Sequence, residues 1–191
     1  RLTKNAYPVQ LPIGFEKEIN GVVDLIDMKA YTYKDYTDHE LTVGDIPADM
    51  LEKAKNARSL LVENAVEADD ELMMRFFESG EESITNDELK TALRKRVLAG
   101  DFFLVTGGDG RGVIVEKLLD LMKDYLPSPV DIDAVWGKNP KTGDEISRKP
   151  NEAEPMAALA FKIATDPFVG KLIFIRVYSG VLSAGSYVLN T

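Results

Sequence analysis

The chain has 191 residues, a net charge of −9, 45% hydrophobic and 29% charged residues, no cysteine and a single histidine, His39. This is the composition of one large or two small globular domains, and it excludes disulfides, thiolate metal sites and multi-His metal clusters. No apolar run reaches the roughly 18 residues of a membrane helix, and the acid excess disfavours a free-standing nucleic-acid binder, which needs a basic face.

In chain order, Val9–Ile13 and Ile19–Ile26 read as two strands with Gly14 and the polar Glu16-Lys17-Glu18 between them. Tyr31-Thr32-Tyr33 and Leu41-Thr42-Val43 read as short edge strands around a polar turn, with His39 a solvated loop residue. After Pro47, Leu51, Ala54, Arg58, Leu61, Val62 and Ala65 share one stripe at helical spacing. A shorter helix is expected over Asp70–Glu78, closed by Ser79-Gly80. Thr85-Asn86-Asp87-Glu88 has capping-box form and opens a helix with Leu89, Ala92, Leu93 and Val97 inward, ending at Gly100. From Glu63 to Lys90 there are ten acidic residues against Arg75 and Lys90, which reads as a solvated acidic face or a partner surface.

Asp101–Val105 reads as a buried strand, and a Gly-rich loop, Gly107–Gly112, leads from it into a helix with Ile114, Leu118, Leu121, Met122 and Tyr125 on one face, stopped by Pro127 and Pro129. Strand, loop and helix make one unit of an α/β layer fold. Beyond residue 130 the pattern changes. Trp136–Pro155 reads as a polar connector, Ala157–Ile163 and Leu172–Tyr178 as period-2 strands joined by a turn at Asp166–Gly170, and Tyr187-Val188-Leu189 as a further strand after a turn at Ser183-Ala184-Gly185. The start at Arg1-Leu2 without Met, and an end inside what reads as a strand, point to a piece of a longer chain.

The Gly-rich loop is the one motif that could carry chemistry. Glycines before a helix let a phosphate approach backbone N–H groups, and Gly107 and Gly112 have the spacing of the two P-loop glycines. A P-loop then needs Lys and Ser/Thr; Val113 and Ile114 stand there instead, and no Asn-Lys-x-Asp occurs. The loop is left as a plain turn or as part of a site completed elsewhere, and phosphoryl transfer cannot be assembled from this chain alone. The carboxylates of Asp69, Asp70 and Glu71 fall at a helix start, where negative charge is favourable in any case.

Several segments together resemble bacterial translation elongation factor G. Ile13-Gly14-Phe15-Glu16, Gly21–Ala30 and Ile46–Met50 are similar to the subdomain inserted in that family's GTP-binding domain. Asp124–Pro129 is similar to the end of that domain, and Ala158–Gly170 with Arg176–Gly180 to the first strands of its second domain. The resemblance runs through nearly the whole chain in order. It implies an α/β fold, the end of a GTPase domain with an α+β insertion at about 10–100, over residues 1–129, then the truncated start of a β-barrel domain over 130–191.

It also implies a ribosome-dependent GTPase that drives translocation of tRNA and mRNA, cytoplasmic and monomeric, using GTP with Mg²⁺. Its P-loop, switch and Asn-Lys-x-Asp motifs would precede Arg1, so no catalytic or metal-binding residue falls here. Gly108, Asp109 and Gly110 match the family's Gly-Ser-Ala loop, whose backbone helps hold guanine, with Asp and Gly replacing Ser and Ala. The acidic region Pro47–Gly100 would meet the ribosomal stalk protein, and the barrel, with Lys162, Lys171 and Arg176, small-subunit RNA. A ribosomal-protection or release-factor GTPase of the same superfamily, or a stand-alone non-catalytic binding module, are the alternatives.

Overall fold

In the computed structural model, which describes residues 3–34, 41–107 and 114–191, the chain divides into two units, Arg1–Leu126 and Pro127–Thr191. The first is organised by a parallel pair. Strand β1 (Ala6–Pro8) lies beside β6 (Phe103–Val105), with Tyr7 opposite Leu104. Parallel strands cannot be joined by a tight turn and need a long crossover. Here the crossover is residues 9–102, which build a sheet and three helices of their own.

The crossover sheet is antiparallel, in the order β2 (Gln10–Ile13), β3 (Gly21–Asp24), β4 (Lys29–Thr32), β5 (Thr42–Gly44). Pro12, which has no N–H for a ladder, sits on the edge strand β2, where one is not needed. The second strand is shorter than the apolar run Ile19–Ile26 predicts, because Asp24 turns the chain: its Oδ1 accepts from the N–H groups of Ile26 (2.9 Å) and Asp27 (3.2 Å). Leu25 and Ile26 are buried beyond that turn rather than within the strand. Of the two expected edge strands, only Thr42–Gly44 lies at an edge; Lys29–Thr32 is flanked on both sides. His39 lies outside the described residues.

Helix α1 (Leu51–Ala65) buries Ala54, Leu61, Val62 and Ala65, the stripe read from the sequence. The charged member of that stripe, Arg58, is a bracket. Its guanidinium donates to the carbonyls of Leu25 and Ile26, to Glu81 Oε1 and to Asn86 Oδ1, joining the strand end to the start of the third helix. Helix α2 (Asp70–Ser79) is capped by Asp69, which accepts from Glu71 and Leu72, and buries no residue completely. Helix α3 (Asn86–Ala99) opens on the Thr85–Glu88 capping box and ends at Gly100 in the left-handed conformation (φ +78°). Leu89, Ala92 and Leu93 are buried, and together with Val9, Val23, Leu25, Leu61, Val62 and Phe102 they form the main core.

The expectation of a fully buried strand over Asp101–Val105 is corrected. Phe102 is buried, stacked on Tyr7 (4.9 Å between ring centres), but Phe103 and Val105 are each about half exposed, at 48% and 47%. Among the described residues the pair β1–β6 is only two strands wide. Helix α4 (Val115–Tyr125) follows. Ile114 and Tyr125 are buried and Leu121 packs on the core, whereas Met122 of the predicted apolar face is exposed.

The second unit contains strands and one short 3₁₀ turn, Pro129–Asp131. The polar stretch expected as a connector holds a hairpin, β7 (Val135–Lys138) with β8 (Glu145–Arg148). Its turn is made by Asn139, whose side chain accepts from Lys141 N–H and whose carbonyl accepts from Gly143 N–H (φ +79° at Gly143). The long hairpin β9 (Ala157–Asp166) and β10 (Gly170–Ser179) closes where the sequence places its turn, with Asp166 Oδ1 accepting from Phe168 and Val169. The register slips between Phe174 and Ile175, where an irregularity breaks the ladder. Tyr187–Leu189 forms no strand, since no described strand lies beside it to complete a ladder. The described part of this unit is two separate two-stranded sheets with no closed barrel; the coarser reading, an α/β unit followed by a β-rich one, stands. Among the described residues no helix is long and apolar enough to cross a membrane.

Candidate functional site

The residues assigned from the sequence to guanine contact, Gly108, Asp109 and Gly110, lie outside the described residues, as do Arg111, Gly112 and Val113. What the structure places are the two flanks of that segment. On the entry side, Val105 is held in the parallel pair and its carbonyl accepts from Val9 N–H (3.0 Å). One residue on, the Thr106 hydroxyl donates to Oε1 of Gln10 at the start of β2 (2.6 Å). Gln10 is buried, and among the described residues its Nε2 has no hydrogen-bond partner.

On the exit side, Ile114 is buried and left-handed (φ +73°), a rare conformation for a β-branched residue. It is held there by a small apolar cluster with Val22 of β3 and Tyr33 just after β4, flanked by Ile19, Tyr31 and Leu41. The first turn of α4 adds two polar ties to the same sheet. The Tyr33 hydroxyl donates to Glu116, and the Lys117 ammonium pairs with Asp24 Oδ2 (3.2 Å) while lying 3.8 Å from the centre of the Tyr31 ring. The Lys117 and Asp24 side chains keep only 13% and 7% of their exposure, so this pair is shielded from water.

The electrostatics follow from that shielding. Burial pulls the Lys117 ammonium down, but the Asp24 carboxylate outweighs it, with Tyr31 and Asp27, and the group sits above its ordinary value. The Tyr33 hydroxyl is pushed up to about 12, first by burial and then by its bond to the Glu116 carboxylate. Tyr125, near the far end of α4, is raised by burial and next by the nearby Asp24 charge. These three groups therefore keep their neutral-pH charge through the physiological range, and none is poised for proton transfer.

A polar cleft of about 240 Å³ opens beside these ties, lined among others by Gln10, Asp27, Lys90, Asp120 and Asp124. A larger one, about 410 Å³, surrounds Arg58 and Glu81, whose groups are engaged in the bracket described above. Among the described residues no group of three or more His, Asp or Glu side chains could hold a metal ion. In the second unit, Lys162, Lys171 and Arg176 are all exposed; Lys162 lies over the Phe174 ring (5.7 Å) and Arg176 over Tyr178 (5.4 Å).

Gln10, Asp24, Tyr33, Glu116 and Lys117 were not singled out from the sequence. Asp24 carried a signal: a carboxylate inside the apolar run Val22-Val23-Asp24-Leu25-Ile26 calls for a buried partner. Nothing local identifies that partner as Lys117, because the pair is made by the fold and not by spacing.

Fold and flanking geometry define a mixed α/β protein in which a sheet-and-helix insertion separates two parallel strands and packs against the first turn of the helix α4. No family model matches the chain. It is similar to the crystal structure of a protein from Thermus thermophilus, with 28% identity and a TM-score of 0.68; the match covers 95% of this chain and 24% of that one. The chain thus spans about a quarter of the length of that solved protein.

Proposed function

We propose that this chain is a segment of a ribosome-dependent translational GTPase of the elongation factor G type, comprising the end of the GTP-binding domain with its inserted subdomain and the beginning of the next domain. The observation that carries the reading is topological. Two parallel strands are separated by an insertion at 9–102, and the second is followed at once by a Gly-rich segment and a helix. That is the order the resemblance calls for. The half-exposed Phe103 and Val105 support it too, since a parallel pair is ordinarily buried on both faces within a wider sheet. The similarity to a chain some four times longer, covering nearly all of this one, supports a segment over a free-standing module.

On this reading the segment holds no catalytic group. GTP and Mg²⁺ are bound by the preceding part of the domain, and the segment contributes guanine contacts at Gly108, Asp109 and Gly110. The acidic insertion, with the half-exposed Met74 and strongly exposed Phe77 on α2, presents the surface for the ribosomal stalk protein. The β-rich unit faces small-subunit RNA. The test is GTP hydrolysis by the full-length protein carrying this segment, with and without ribosomes. A large stimulation by ribosomes is expected. Binding of GTP without any ribosome dependence would overturn the translational assignment.

A further inference from the structure

The cleft of about 240 Å³ beside α4 is walled by described residues of the insertion sheet, α3 and α4, all within the first unit. Its inner wall is buried: Gln10, Asp24 and Tyr125 keep only 3–5% of their exposure. Its rim carries the exposed Asp120 and Asp124, one helical turn apart on α4, and the half-buried Asp27 and Lys90. The charges do not balance. Asp24 is neutralised by Lys117 at 3.2 Å, and Asp27 lies 3.5 Å from Lys90. Asp120 makes no ion pair among the described residues, and Asp124 has Lys123 at 3.9 Å, whose side chain is 80% exposed. Two carboxylates are thus left for a cation from outside. Burial raises the Tyr125 hydroxyl first, and Asp24, Asp124 and Asp27 raise it further, so three of the carboxylates lie around one point of the wall. A second observation is independent of charge. Gln10 lines the cleft, its Oε1 accepts from Thr106, and among the described residues its Nε2 has no hydrogen-bond partner. A buried donor without an acceptor is costly, and this one calls for an oxygen within the cleft.

We propose that this cleft binds a small organic cation that also carries hydroxyl groups, an amino sugar or amino alcohol, with Asp120 and Asp124 holding its ammonium and Gln10 Nε2 donating to a hydroxyl oxygen. The volume is that of about eight waters, which suits one ring or a short chain. Other occupants meet half of the demand. Among the described residues no acidic group could ligate a metal directly, and the waters of a hydrated metal present hydrogens where Gln10 needs an acceptor. A plain polyamine satisfies the carboxylates and leaves Gln10 unpaired. A neutral sugar, or a single ordered water, satisfies Gln10 and leaves Asp120 and Asp124 without a counter-charge. The site stands apart from the GTPase reading, whose failure would leave it intact.

The test titrates the full-length protein calorimetrically with glucosamine, with glucose, with putrescine, and with glucosamine in the presence of Mg²⁺. Glucosamine is expected to bind at least about fivefold more tightly than glucose or putrescine, and Mg²⁺ is expected not to displace it. The paired change Asp120→Asn with Asp124→Asn, at exposed positions, is expected to weaken glucosamine at least about fivefold. Gln10→Met keeps the length of the side chain and removes the donor; it is expected to weaken glucosamine about fivefold and to leave putrescine unchanged. Absence of glucosamine binding overturns the proposal and leaves the cleft to water. Equal affinity for glucose or putrescine overturns it too, as does displacement by Mg²⁺ or a paired Asn variant within twofold of wild type. If Gln10→Met does not fold, the comparison of probes and the paired variant decide.

Discussion

Asp24 concentrates two roles in one side chain. One carboxylate oxygen ends β3 by accepting from two backbone N–H groups, and the other neutralises Lys117. Breaking a shielded pair from one side leaves the other charge uncompensated, which costs more than the pair is worth. Asp24→Ala is therefore expected to cost about 3–5 kcal/mol, read as a drop in the urea midpoint. A change below about 1 kcal/mol would mean that Lys117 finds water or another partner. Gly14 is a different case. Its φ is +92°, and a Cβ there would come 2.2 Å from the carbonyl oxygen of Glu18. Gly14→Ala combines backbone strain with a clash against main chain that has no free rotation to give way. A loss of more than about 1 kcal/mol is expected in the same assay.

At the scale of elements, the capping box of α3 sets a pH dependence. Glu88 accepts from Arg75 and reaches back to Thr85, and these bonds hold its carboxyl at about 2 against an ordinary 4.5. A carboxyl depressed by folding gives stability that is complete above its unfolded value and is lost as the pH falls toward the folded one. Wild type should thus lose stability between about pH 5 and 2, and Glu88→Gln should flatten that part of the curve while starting from a less stable protein at neutral pH. Equal slopes in urea-midpoint profiles would contradict the assignment. This box was legible in the sequence, because both partners lie within one turn. So were the stripes of α1 and α3, the αL end at Gly100 and the Asp166 turn, all of them local patterns. What escaped is what depends on partners far along the chain. The β7–β8 hairpin was hidden in a polar stretch because a short, exposed hairpin has no apolar alternation to display. The exposure of Phe103, Val105 and Met122 was missed because a strand or helix sequence states which residues are apolar and not what will cover them. The guanine-side residues were read from resemblance alone, and the groups that hold their flanks came only from the fold.

For the whole molecule, the two units differ in how they are held. The first has a continuous core in which Leu61, Leu89 and Leu93 are completely buried, and Leu61→Ala should cost about 2–5 kcal/mol. The second has hairpins whose apolar side chains, including Phe161, Ile163, Ile173 and Val177, stay 43–67% exposed. Isolated two-stranded hairpins are marginal in water. Amide exchange of this 191-residue chain should accordingly be slow at 22–25, 61–66 and 89–93 and fast across 157–179.

The proposed reading, that this segment closes the base side of a guanine-nucleotide site, is tested most directly by amide exchange of the full-length protein with and without GDP. On that reading, nucleotide-dependent protection within this segment is expected at residues 106–116. GDP binding that leaves 106–116 exchanging at the unliganded rate would contradict it.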